Sequence, residues 1–172
     1  MMPPGRWSDP HAKINVIVGM GDMAASDQLN ACLTTYSLGS CVGVSVYDPV
    51  VKVGGLLHAM LPEGGMNAAR AKERPYMFVD TGLPALFHTV YALGGVKSRL
   101  IVKLAGGAEL LGDNKVFNIG ARNVEMVERM LSRNGVKLVA KDTGGKDVRT
   151  VRLDLDTGEV TLLITGKGSI AL

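Results

Sequence analysis

Short apolar stretches, some alternating with polar residues and some continuous, recur along the chain and predict a protein rich in β-strands. Alternation with a period of two is typical of a half-buried strand, and a short apolar run between turn residues suits a more deeply buried one. Strands are predicted at 14–20, 31–36, 42–48, 53–61, 99–104, 136–141, 148–155 and 159–165. The segments 21–30 and 63–76 are polar and contain glycine, so we expect loops there.

Two further segments show the wider hydrophobic spacing of amphipathic helices. The first is predicted from a cap at Asp80 or Thr81 to about Leu93, and the second from a cap at Asn118 to a stop at Asn134-Gly135. Strands joined both by short turns and through helices indicate an α+β fold, with mixed β-sheets packed in a sandwich and flanking helices.

The organisation along the chain indicates one domain. We expect a loose, proline-containing tail at 1–13, a single domain over 14–166 and a C-terminal tail at 167–172. With 172 residues, 47% hydrophobic and 20% charged, the chain has the composition of a globular protein.

Charge and hydropathy exclude several classes of function. The net charge is only +3 and the basic residues are scattered, which argues against the basic stripe of a nucleic-acid-binding protein. The most apolar stretch, 41–61, is interrupted by Asp48, Pro49 and Lys52, so no membrane insertion is expected. The N-terminal segment lacks the apolar core of a secretory signal, and two cysteines make no disulfide framework, so we expect a cytoplasmic protein.

Two reactive side chains flank a predicted hairpin around Asp48. If 48–51 is a four-residue turn, Cys41 falls directly opposite His58, where Cβ atoms lie ~5 Å apart. A neighbouring imidazole can take the proton of a thiol and hold the resulting thiolate, which is the nucleophilic form. One β-bulge would separate the two side chains, and a short helix at 42–48 would remove the pairing while leaving Cys41 at its N-terminus.

Other groups near Cys41 complete a hypothetical active site. The turn before Cys41 can leave backbone N–H groups unpaired, so the backbone of Gly39 and Ser40 is expected to hold an oxyanion. Thr35 ends the preceding strand, and its hydroxyl can accept a hydrogen bond from the His58 ring. Purely structural roles for the cysteine and the histidine are the alternative, because spacing alone does not make a catalytic pair. A metal site is disfavoured, because structural zinc requires four ligands.

Two more features allow structural and functional interpretations. The pairs Gly106-Gly107 and Gly144-Gly145 are predicted to be turns, and walls of a substrate groove are the alternative. Arg122 and Asn123, on the second predicted helix, are expected to cap or bridge loops, with substrate docking as the alternative.

The segment TYSLGSCVGVSVYDPVVKVGGLLHAMLP, residues 35–62, resembles the signature of the CheD family of chemoreceptor glutamine deamidases. That family's pattern has a Thr six residues before a Cys and a His seventeen after it, spacings that Thr35, Cys41 and His58 match. Further similar segments are FVDTGLP at 78–84, AGGAELL at 105–111, IGARN at 119–123 and DTGGKDVRTV at 142–151. Val148, Ala105 and Gly82 depart from the usual Gly, Phe and Ala of the family, and none of them belongs to the matched trio.

The resemblance implies a protein-glutamine deamidase that acts on the cytoplasmic helices of chemoreceptors and needs no metal or organic cofactor. Cys41 would attack the glutamine amide, His58 would move the protons and Thr35 would orient the ring. The family also binds a chemotaxis phosphatase of the CheC type, so the alternative is a non-catalytic module that regulates this phosphatase. In principle the same site could cleave a glutamyl methyl ester, since both reactions pass through an acyl-enzyme.

Overall fold

The computed structural model describes residues 12–65, 67–109 and 117–172. The strands in these ranges are β1 (Ile14–Ile17), β2 (Asp22–Ser26), β3 (Ala31–Leu38), β4 (Val42–Asp48), β5 (Val53–Ala59), β6 (Ile101–Gly106), β7 (Leu138–Thr143), β8 (Arg149–Asp154), β9 (Val160–Ile164) and β10 (Gly168–Ala171). The α-helices are α1 (Ala68–Glu73), α2 (Val79–Ala92) and α3 (Ile119–Arg133), and short 3-10 turns lie at Pro75–Met77 and Lys97–Arg99.

The strands form two five-stranded sheets. The first has the order β1-β3-β8-β9-β10, and the second has the order β2-β5-β4-β6-β7. The pairs β1–β3 and β6–β7 are parallel and the other neighbours are antiparallel, so both sheets are mixed. The predicted α+β sandwich with flanking helices is therefore confirmed.

The second sheet lies between the first sheet and the two longer helices. On β4, Val42, Val44 and Val46 belong to the apolar cluster shared with α2 and α3, whereas Tyr47 belongs to the cluster between the sheets. Every residue of β4 and β5 is buried, because both faces of these strands are covered. The hairpin that carries the predicted reactive residues thus lies at the centre of the molecule.

Three elements form in segments that were expected to be irregular. Strand β2 lies in the predicted loop 21–30 and pairs with β5, and α1 lies in the predicted loop 63–76. The predicted C-terminal tail contains β10, which pairs antiparallel with β9. Residues 1–11 of the predicted N-terminal tail lie outside the described residues. No helix in the described ranges is both long and apolar enough to span a membrane.

The predicted cap of α2 is wrong. The helix begins after Phe78, which has extended backbone and makes no side-chain capping bond. The Asp80 carboxylate instead accepts the backbone N–H of Gly64 at 3.2 Å from each oxygen, and it thereby ties the preceding loop to the first turn of α2.

The predicted register of the central hairpin is also wrong. Asp48 is the last residue of β4 and pairs with Val53, so Gly43, not Cys41, lies directly opposite His58. The reason is that the buried Asp48 carboxylate accepts the backbone N–H of Val50 at 2.9 Å, which holds the turn beyond the strand end. Lys52 closes the turn with a φ of 54°. The alternative of a helix at 42–48 is excluded, since the segment is a strand.

Candidate active site

His58 lies in β5 and faces the first sheet. Its partner on β4 is Gly43, where an added Cβ would lie 2.8 Å from Leu38 Cδ1 and 3.7 Å from Thr35 Cγ2. A glycine at this position lets Leu38 of the first sheet pack closely against the hairpin beside the imidazole. The face of the hairpin that carries His58 is therefore the face that meets Thr35.

Thr35 contacts the imidazole directly. Its Oγ1 lies 2.7 Å from His58 Nδ1, and it also donates to the backbone carbonyl of Val18 at 2.7 Å. A hydroxyl has one proton to donate. Since that proton goes to Val18, the hydroxyl must accept from Nδ1–H, and the neutral ring must carry its free lone pair on Nε2.

The second ring nitrogen, Nε2, makes no hydrogen bond to any residue that the structure describes. His58 has no exposed surface, and Nε2 has no partner among the described residues. An unsatisfied buried polar atom calls for an explanation, because burying it costs roughly 1–3 kcal/mol. Burial also lowers the pKa of His58 from 6.5 to about 4, so the ring is a neutral base at neutral pH.

Cys41 lies at the same end of the hairpin, immediately before β4. It is half-buried and packs against the apolar cluster between the two sheets, on the side that also holds Thr35. Burial raises the pKa of the Cys41 thiol, and the backbone N–H of the same residue partly offsets this rise. At rest these shifts favour a neutral thiol and a neutral imidazole, rather than the charged pair expected from the sequence.

The loop that carries Cys41 follows an irregularity in β3. The pairing of β3 with β8 shifts between Thr35 and Leu38, and Ser37 has a φ of 58°. Bulges are frequent beside active sites because they redirect the chain. Here the bulge ends the strand after Leu38 and lets residues 39–41 cross from the first sheet to the second.

The carbonyl groups of this loop accept hydrogen bonds, whereas its N–H groups donate to no oxygen atom of the described residues. The carbonyls of Gly39 and Cys41 accept from the backbone N–H groups of Ala108 and Gly107, both at 2.8 Å. In the described part of the chain, the backbone N–H groups of Gly39, Ser40 and Cys41 have no oxygen acceptor.

The two glycine pairs have different surroundings. Gly106 has a φ of 103°, and a Cβ there would lie 2.3 Å from the Cys41 carbonyl oxygen, so the backbone approaches the Cys41 loop closely. At Gly107 a Cβ would lie 2.8 Å from the carbonyl oxygen of Gly120 on α3. Gly144 and Gly145 also have positive φ angles, but no atom of the described residues lies within 4 Å of an added Cβ. The first pair therefore packs the Cys41 loop against α3, and the second makes an open turn.

Asn123 on α3 makes a bridge of the kind expected from the sequence. Its side chain is fully buried, and Nδ2 donates to the carbonyls of Ser40 and Met60, each at 3.0 Å. The neighbouring Arg122 forms an exposed pair with Glu63 at 3.8 Å.

A family model described as CheD chemotactic sensory transduction matches residues 60–163. The chain belongs to the CheD family. A protein of Syntrophus aciditrophicus named probable chemoreceptor glutamine deamidase CheD 1 is 47% identical over 88% of this chain and 95% of its own length. Proteins of Pyrococcus abyssi and Pyrococcus horikoshii named probable chemoreceptor glutamine deamidase CheD are 48% and 46% identical, over 84% and 90% of this chain and 88% and 95% of their own lengths.

The relatives cover more of the site than the CheD family model does. The matched segment of the model begins at Met60, so it includes Asn123 but not Thr35, Cys41 or His58. The alignment with the Syntrophus relative spans 152 of the 172 residues. The residues that remain outside it are too few for the alignment to have missed the segment 35–62. The similarity to CheD proteins therefore extends over the whole site.

Proposed function

We propose that this chain is a protein-glutamine deamidase that converts glutamine side chains of chemoreceptors to glutamate and releases ammonia. The observation that carries the proposal is the buried Nε2 of His58, which has no partner among the described residues. The hydrogen bond with Thr35 leaves the lone pair of the ring on this nitrogen. His58 lies on the same face of the hairpin as Cys41. The names of the CheD relatives supply the substrate class.

Acylation begins with proton transfer from the Cys41 thiol to His58 Nε2 as the sulfur attacks the amide carbon of the substrate. His58 then carries protons on both nitrogens, and Nδ1–H remains bonded to Thr35. The protonated ring gives its Nε2 proton to the departing nitrogen, so the carbon–nitrogen bond breaks and ammonia leaves. The product of this half-reaction is a thioester on Cys41 and a neutral His58.

Deacylation uses the same imidazole in the same tautomer. His58 Nε2 accepts a proton from water while the water oxygen attacks the thioester carbon. The tetrahedral intermediate collapses, the carbon–sulfur bond breaks and the proton returns to the Cys41 sulfur. The side chain leaves as a carboxylic acid, which loses its proton to water to give glutamate, and the site returns to its resting neutral state.

The N–H groups of the Cys41 loop suit the negative oxygen that forms in both steps. Preorganised backbone donors stabilise such an oxyanion, and loss of one donor typically costs about 10²–10³ in kcat. The N–H groups of this loop have no oxygen acceptor in the described ranges, while two of its carbonyls are held in place by Gly107 and Ala108. We assign the oxyanion to these N–H groups.

We propose that the substrate reaches the site at Cys41, because this residue is partly exposed whereas His58 is not. We propose the cytoplasmic helices of chemoreceptors as the binding partner, with a CheC-type phosphatase as a second partner that the family resemblance implies. Both partners assign the chain to the cytoplasm.

The test is incubation with a purified cytoplasmic receptor fragment, followed by mass spectrometry of the glutamine-containing peptides. We expect wild type to convert amide to acid and Cys41→Ala to be inactive. Cys32→Ala is the matched control, since the Cys32 sulfur accepts from Arg152 on another part of the first sheet. Full activity of Cys41→Ala would exclude the nucleophile. A folded wild type that binds the phosphatase but converts no glutamine would favour the non-catalytic module.

A further inference from the structure

Asn123 lies where the hairpin ladder ends. The last pair of β4 and β5 at this end is Val42 with Ala59, and beyond it the two chains separate. Asn123 Nδ2 donates to Ser40 on one chain and to Met60 on the other, at 3.0 Å in both cases. One buried amide therefore joins the chain that carries Cys41 to the chain that carries His58, just past the last backbone pair.

Packing alone does not account for an asparagine at this position. The orientation of the amide is set by its contacts, because only the NH₂ group can donate to two carbonyls. Oδ1 is then left buried without a partner among the described residues. Such an atom costs roughly 1–3 kcal/mol, which an apolar side chain of similar size would avoid.

The contact with Ser40 has a consequence for the next residue. The Ser40 carbonyl and the Cys41 N–H belong to one peptide group, which is planar and trans, so the two bonds point in opposite directions. Because Asn123 holds the Ser40 oxygen toward α3, it also holds the Cys41 N–H away from α3. A hydrogen bond from that N–H lowers the pKa of the Cys41 thiol, so the N–H faces the sulfur.

We propose that Asn123 is a positioning residue that fixes the Ser40–Cys41 peptide so that the Cys41 N–H faces the oxyanion of the deamidation reaction. The inference rests on the proposed deamidase function. Without the bridge, rotation of one peptide group would turn the N–H away and present a carbonyl oxygen to the developing negative charge. The nucleophile and the base would still be present.

The proposal predicts that substitution of Asn123 affects two reactions of Cys41 differently. Deamidation passes through an oxyanion, whereas alkylation by iodoacetamide is a displacement at carbon and forms none. Asn123→Leu removes both donors, and Asn123→Asp keeps the shape but cannot donate to both carbonyls at once. In each variant we expect kcat for the receptor fragment to fall on the order of 10²-fold. KM and the rate of Cys41 alkylation should stay close to those of wild type.

The matched control is Val127→Ala, one turn further along α3 and fully buried in the apolar cluster. It loses packing without touching the Ser40–Cys41 peptide, so kcat should remain that of wild type even if the melting temperature falls. An unchanged kcat in a folded Asn123 variant overturns the proposal. It is overturned equally if kcat and alkylation fall together, or if Val127→Ala of equal stability loses as much kcat. A wild type without deamidation is a different result, because it contradicts the proposed function itself.

Discussion

Thr35 Oγ1 lies 2.7 Å from His58 Nδ1 and donates its own proton to the carbonyl of Val18. The direction of this chain of hydrogen bonds determines which ring nitrogen is free. If the hydroxyl donated to Nδ1 instead, it would have no proton left for the Val18 carbonyl. A residue on the first sheet thereby sets the tautomer of an imidazole on the second sheet.

Replacement of Thr35 by Val should preserve the shape and remove the acceptor. The Nδ1–H would then be buried without a partner, and the ring would lose the bond that selects its tautomer. We expect kcat to fall roughly 10–100-fold, the usual effect of losing a partner that orients a functional histidine. Thr35→Ser keeps the oxygen and should retain most of the activity. Equal kcat values for Thr35→Val and Thr35→Ser would show that the hydroxyl does not orient the base.

Burial of neutral His58 should make the folded state sensitive to mild acid. The pKa of His58 is about 4 in the folded protein against 6.5 in an unfolded chain, so between these values the unfolded state binds the extra proton. The stabilisation is fully present above pH 6.5 and is lost as the pH falls toward 4. The full shift corresponds to about 3 kcal/mol in the free energy of unfolding.

Urea unfolding at several pH values between 4 and 7 measures this effect. His58→Leu should show a flatter pH dependence than wild type in this interval, because it has no proton to bind there. Val127→Ala removes no titratable group and serves as the control, with the slope of wild type. Identical slopes for wild type and His58→Leu would contradict a buried, neutral ring.

A methyl group at Gly106 should disturb the Cys41 loop. The added Cβ would lie 2.3 Å from the Cys41 carbonyl oxygen, and the φ of 103° is unfavourable for any residue with a side chain. Gly144→Ala is a matched control, since Gly144 has a φ of 75° and no described residue has an atom within 4 Å of an added Cβ. We expect Gly144→Ala to lose about 1–2 kcal/mol of stability and keep its kcat. Gly106→Ala should lose more stability and most of its activity, and equal behaviour of the two variants would contradict the close approach.

Features set by local sequence could be predicted well. Both ends of α3 follow from Asn118, whose side chain accepts the N–H of Ala121 at 3.1 Å, and from the Asn134-Gly135 stop. Strand β4 was predicted with its observed bounds, because its apolar residues lie between turn residues. These signals act within a few residues and need no knowledge of the rest of the chain.

Features set by distant contacts could not be predicted. Strand β2 has little apolar pattern of its own and forms by pairing with β5. The hairpin register depends on Asp48, whose buried carboxylate pairs with Arg99 at 2.8 Å. This pairing keeps Asp48 in the strand, from where it stabilises the turn that follows. The turn preference of Asp-Pro places Asp48 inside the turn. The sequence around Asp48 gives no sign that it pairs with Arg99, 51 residues further along the chain.

The distinction between features set by local sequence and features set by distant contacts also applies to the candidate active site. Residue types and spacing, together with the family resemblance, single out Thr35, Cys41 and His58. Neither the tautomer of His58 nor its unpaired Nε2 can be read from the sequence, because both depend on Val18, which belongs to another segment. The bridge of Asn123 to two carbonyls likewise requires three separate segments to meet.

The central claim is that deamidation passes through a thioester on Cys41, and partitioning with hydroxylamine tests it most directly. Hydroxylamine intercepts a thioester to give a hydroxamate, which mass spectrometry distinguishes from glutamate on the receptor fragment. We predict that the hydroxamate share rises with hydroxylamine concentration for wild type and Cys32→Ala, and that Cys41→Ala gives neither product. Full conversion of glutamine to glutamate without hydroxamate at any hydroxylamine concentration would contradict the account.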